Sequence, residues 1–296
     1  HLELRNLFEF LYLLMKIRSI FLNSDDGLRN GWWIAIFFIT MASLIIPSKI
    51  LADRNAIELS IWAQAGLVIL ASLICQVLRR EKLSSLFGAL NTWPKYYIFG
   101  CLLGTILMLL PAIVLLVSGH VIWHGALNYS SLLPGLSLFA AVAIAEELVF
   151  RGFFFQRLIS GLGQWPAQIL MAAYFTLNHW DNPGMTGTVK ILASINIFLA
   201  SILFGLAYIR TQSLAMPIGL HLMLNFTQGT LLGFGVSGNQ QDSLWVANIA
   251  SNNSWWTGGQ FGLEASLPGL LFIIMGCILL YCWKPELNNQ PIKHKN

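Results

Sequence analysis

Residues 141–155 read Ala-Val-Ala-Ile-Ala-Glu146-Glu147-Leu-Val-Phe-Arg151-Gly-Phe-Phe-Phe, and they place three charges inside an otherwise apolar run. Each unpaired charge at the middle of a bilayer costs about 2.5–3.5 kcal/mol on insertion scales, so a chain that keeps such a cluster must neutralise it or use it. Helical spacing separates the two carboxylates. Glu147 and Arg151 stand at i, i+4 with the acid N-terminal, the favourable order for an ion pair, while Glu146 points about 100° away around the helix. One acid therefore neutralises Arg151 and the other is left for chemistry.

The rest of the composition fits this reading. Over 296 residues, 56% are hydrophobic, only 10% are charged, and the mean hydropathy is +0.66. The chain reads as an all-α, polytopic transmembrane bundle rather than as soluble domains. A net charge of +4 is too modest to indicate nucleic acid as a partner and is better explained by membrane topology. Cys75, Cys101, Cys277 and Cys282 lie in or beside apolar runs without metal-type spacing, and they read as packing residues.

Residues 1–30 alternate charges with large apolar residues and predict an amphipathic interfacial helix. Residues 31–131 hold three spans, near 32–51, 57–78 and 96–119; residues 132–232 hold four more elements, near 132–159, 165–180, 191–209 and 214–232. An external loop, 233–262, leads into the last span at 263–283 and a polar cytoplasmic tail to 296. With about eight spans, thirteen Lys and Arg fall on the side of the termini and only Lys49, Arg54 and Lys190 on the other, which predicts both termini in the cytoplasm of a cell membrane.

The remaining intramembrane polar groups are spaced in a telling way. Phe175 and His179 share a helix face, as do His221 and Asn225. Glu146 is fifteen residues before Gly161 and His179 sixteen after Gly163, so an antiparallel hairpin brings them to one level. His221 reaches that level only if this hairpin projects further into the cytoplasm. The expected site is a polar cavity nearer the cytoplasmic side, lined by Glu146, Glu147, His179, His221 and Asn225. A carboxylate can act as a general base on water, His179 can orient that water, and His221 and Asn225 are donors suited to an oxyanion.

The motifs Glu146-Glu147-x-x-x-Arg151, Phe175-x-x-x-His179 and His221-x-x-x-Asn225, in this order, resemble the CPBP family of CAAX proteases and bacteriocin-processing proteins, also called Abi. Residues 257–264, Thr-Gly-Gly-Gln-Phe-Gly-Leu-Glu264, also look like bacterial members, which implies a bacterial plasma membrane. Gln212 departs from the pattern, since many members have Gly there. The resemblance implies a membrane endopeptidase similar to the type II CAAX prenyl endopeptidases. Glu146, His179, His221 and Asn225 would be catalytic, Glu147 and Arg151 supporting, and the substrate a membrane-associated peptide or protein. Members are commonly labelled metalloproteases, and a glutamate-dependent, metal-free mechanism is also argued; Glu146, His179 and His221 are the residues that would hold a divalent ion such as zinc. The alternatives are a transporter relaying protons through the same groups and an immunity protein that binds a peptide without cutting it.

Overall fold

The computed structural model describes residues 12, 15, 16, 18–25, 27–124, 127–249 and 253–284. Half of the 1–30 segment and residues 285–296 of the polar tail lie outside them. The described residues form helices α1 (Asn30–Arg54), α2 (Ile61–Leu78), α3 (Trp93–Val117), α4 (Leu132–Phe150), α5 (Phe153–Leu162), α6 (Gln164–Asn178), α7 (Gly187–Thr211), α8 (Ala215–Asn225) and α9 (Leu267–Cys282). Two short strands, β1 (Val121–His124) and β2 (Val246–Ile249), pair antiparallel and tie the loop after α3 to the long loop before α9.

Among the described residues five stretches are long and apolar enough to cross a membrane: Asn30–Arg54, Ile61–Leu78, Leu83–Val117, Tyr129–Leu162 and Gly187–Thr211. Together with the shorter α6, α8 and α9 they make a multi-pass helical membrane bundle. Local chemistry sets several helix ends. The Ser60 and Ser266 hydroxyls cap α2 and α9 by accepting from the Ala63 and Gly269 amides. Gly163 turns α5 into α6 at φ 87°. Gln212 ends α7 in the left-handed region at φ 50°, ψ 36°, a conformation that glycine adopts without penalty.

Two expectations about element boundaries change. The stretch expected as one element from 132 to about 159 is two helices, broken at Arg151–Gly152. There Gly152 takes φ −77°, ψ −134°, and a Cβ would press on the Leu148 carbonyl. Hydropathy does not register this break, because apolar residues continue on both sides. The seventh element ends as an α-helix at Asn225 and continues as a wider π-turn over Phe226–Leu231.

In the core, α3 and α8 pack with their backbones in close approach. Gly100 and Gly104 on α3 face the Met216 and Leu220 carbonyls, and Gly219 on α8 faces that of Tyr97. Small residues at such a crossing let two backbones touch. Phe37, Ala71, Cys75, Leu86 and Phe153 form a second buried cluster that fastens α1 and α2 to α5.

Candidate active site

Helix α4 points its two glutamates in different directions. Glu147 is fully buried and its Oε1 is 3.3 Å from Nη1 of the equally buried Arg151. The same oxygen lies 2.7 Å from Nδ1 of His221. Arg151 donates from Nη2 to the Ser201 hydroxyl at 2.8 Å and carbonyl at 3.0 Å. Its guanidinium lies 5.0 Å from the ring centres of both Phe175 and Phe204. Glu147 was expected in the cavity wall; it sits behind it, where a charge survives only because two donors meet it. Glu146, one residue earlier, is 31% exposed and faces the cavity.

His221 is held at both ends. Nδ1–H donates to Glu147, so Nε2 faces outward, 3.9 Å from Oε2 of Glu146, and the ring stacks on Phe204 with centroids 4.8 Å apart. His179 caps α6 and donates from Nδ1 to the Phe175 carbonyl at 2.8 Å, an arrangement that leaves Nε2 as the free ring nitrogen. Phe175 thus serves its motif twice, through its carbonyl and through a ring 4.5 Å from the imidazole.

Glu146, His179, His221 and Asn225 all line one cavity of about 500 Å³. It lies at the C-terminal end of α6, opposite the Gly161–Gly163 turn, where α6 stops at Asn178 and residues from 236–241 of the 233–262 loop fold into the wall. Val236, Ser237, Asn239 and Gln241 of this loop contribute, as do Asn196 of α7 and Gln228 of the π-turn. These were missed, for no periodic signal marks a loop that packs inward.

Glu264, in the turn between the loop and α9 and outside the spanning helices, also faces the cavity. Its Oε1 accepts from the Ser237 amide, the Ser237 hydroxyl at 3.1 Å and Nε2 of Gln228 at 3.2 Å. Burial pushes its carboxyl above the usual range, against the Ser237 amide that pulls it back. The native chain then holds this proton more tightly than the unfolded chain. Its contribution to stability is full below the unfolded value, about 4.3, and is lost as pH rises through the native one. Glu264→Gln keeps the acceptor oxygen and removes the titration. Its melting temperature in detergent should gain on the parent as pH is raised from about 5 to 9; a constant difference would show that the carboxyl titrates normally.

Among the described residues no three His, Cys, Asp or Glu side chains gather as a metal-ligand set. His221 and His179 engage only Nδ1, with Glu147 and with the Phe175 carbonyl, and Nε2 of His221 lies 3.9 Å from Oε2 of Glu146.

A multi-pass helical bundle that buries a Glu–Arg–His network behind a cavity lined by a glutamate, two histidines and amides has the makings of a membrane hydrolase. Residues 128–227 match the family model of Rce1-like type II CAAX prenyl endopeptidases. The match covers about a third of the 296 residues. No curated protein and no solved structure matches the chain.

Proposed function

We propose that the protein is an intramembrane endopeptidase that hydrolyses a peptide bond of a membrane-associated peptide or protein. The reading is carried by one observation, the meeting of Glu146, His179, His221 and Asn225 from three helices around a single cavity. Glu146 takes a proton from a water that Nε2 of His179 orients, and the water oxygen attacks the scissile carbonyl carbon. The amide of Asn225 and, in its doubly protonated form, Nε2–H of His221 receive the oxyanion. As the C–N bond breaks, Glu146 returns its proton to the leaving amine. Glu147, backed by Arg151, fixes the orientation of His221. The Lys and Arg bias supports both termini lying in the cytoplasm, and the likeness of residues 257–264 to bacterial members supports a bacterial plasma membrane.

The test is cleavage of a peptide and lipopeptide library by the purified protein in detergent, with Glu146→Ala and a chelator in parallel arms. Wild type should cut with or without chelator, and Glu146→Ala should lose about 10²–10⁴-fold. Loss of activity with chelator would replace the metal-free route. If nothing is cut while Glu146→Ala still abolishes a cellular phenotype, the cavity binds or transports instead.

A further inference from the structure

The start of α1 and the end of α5 enclose a groove at the far end of the bundle from the cavity. Arg29, Gly31 and Trp32 line it from one side and Arg157, Ser160 and Leu162 from the other. Arg157 is only 8% exposed, yet its Nε has no acceptor and its Nη1 reaches only Oδ1 of Asn30, at 3.4 Å. The Tyr208 hydroxyl nearby makes no bond to it. Arg29 donates from Nη1 to the Ser19 carbonyl. Among the described residues neither arginine forms a salt bridge, and no Asp or Glu lines the groove. Arg79, close enough to repel Arg157, shares the neighbouring groove with Asp25 and Glu81. A desolvated guanidinium with an unmade donor is costly, so this groove is set for an anion. The first turn of α1 opens at the same place with neither a side-chain cap nor an acidic residue, and its amides favour an anion too.

The groove is polar at one end only. Trp32 marks the headgroup level, where tryptophans concentrate, and Ile34, Ala35 and Leu158 continue the lining toward the apolar part of the spans. A free phosphate would use the first part alone, whereas a phospholipid uses both. Of its 25 residues α1 buries only Phe37, so a ligand that touches both helices adds materially to its hold on the bundle. We infer that this groove binds one anionic phospholipid, its headgroup phosphate on Arg157, Arg29 and the first amides of α1 and an acyl chain along Ile34, Ala35 and Leu158, and that the lipid fastens α1 to α5. The inference does not rest on the endopeptidase reading.

The full-length protein in neutral detergent is titrated with phosphatidylglycerol, phosphatidylcholine or inorganic phosphate. Native mass spectrometry counts the bound molecules, and the melting temperature is followed in parallel. One phosphatidylglycerol should bind about fivefold more tightly than phosphatidylcholine, the worth of one interfacial arginine, and raise the melting temperature. Inorganic phosphate in large excess should neither displace it nor reproduce the rise. Arg157→Gln should weaken this one site about tenfold. Because Arg157 is buried, Gly31→Leu is made beside it. A Cβ at Gly31 meets nothing within 4 Å, so the leucine fills the groove without pressing on the protein. It should lose the same lipid while the melting temperature without lipid stays unchanged. Equal binding of the two lipids, parental affinity in Gly31→Leu or in a folded Arg157→Gln, or displacement of phosphatidylglycerol by inorganic phosphate would each overturn the inference, the last by making a soluble anion the guest.

Discussion

Glu147→Leu and Arg151→Leu, made singly, should each destabilise the protein by about 3–5 kcal/mol, because each leaves a buried charge without its partner. Both side chains are at 0% exposure and 3.3 Å apart, so no water can take the lost partner's place. The double variant removes both charges and should recover much of that stability, since apolar groups of similar size often replace a buried ion pair without loss. Activity should not return with it. His221 would have lost the acceptor that fixes Nδ1 at 2.7 Å, and with it the direction of Nε2. Denaturation in detergent and peptidase assays on the four proteins make this a double-mutant cycle. A double variant no more stable than the singles would show that the pair is not coupled as drawn, and an active one would remove Glu147 from the positioning of His221.

The second large effect is expected at the α3–α8 crossing. An alanine Cβ at Gly104 would meet the Leu220 carbonyl oxygen and the Leu224 amide, both backbone atoms that cannot swing aside. Overpacking of this kind costs about 1–3 kcal/mol, and here it also pushes α8 away, taking His221 and Asn225 with it. Gly104→Ala should therefore lose both stability and peptidase activity, and Gly100→Ala with Gly104→Ala should lose more. Gly66 in α2 has nothing within 4 Å of such a Cβ, so Gly66→Ala is the matched control and should be neutral or slightly stabilising. Equal behaviour of Gly66→Ala and Gly104→Ala would mean that the close crossing is not required.

Much of the site was legible because helical period alone decides which face a residue takes. The 100° between Glu146 and Glu147 separates the cavity carboxylate from the buried one, and i, i+4 spacing pairs Glu147 with Arg151. The second partners of that pair were not legible. Ser201 lies 50 positions from Arg151 and His221 lies 74 from Glu147, and nothing in a local pattern reports contacts of that separation. The break at Gly152 was hidden because hydropathy stays high across it. Gly100 and Gly104 form a visible G-x-x-x-G, yet small residues acquire meaning only when a neighbouring helix is known. The wall contributed by 236–241 was hidden most completely, since a polar, Gly-rich stretch reads as external whether it faces water or folds inward.

The ribbon of β1 and β2 bears on how that wall is kept. Val246–Ile249 pairs with Val121–His124, the Leu244 amide bonds the Thr230 carbonyl at 2.6 Å, and the Trp123 indole donates to the Leu232 carbonyl at 2.7 Å. These ties divide a long connection into shorter closed segments, and the segment bearing Ser237, Asn239 and Gln241 is anchored at both ends. Shorter loops have less freedom to lose. The entropy of ordering this wall is therefore taken up when the chain folds, and an arriving guest meets a surface that is already in place.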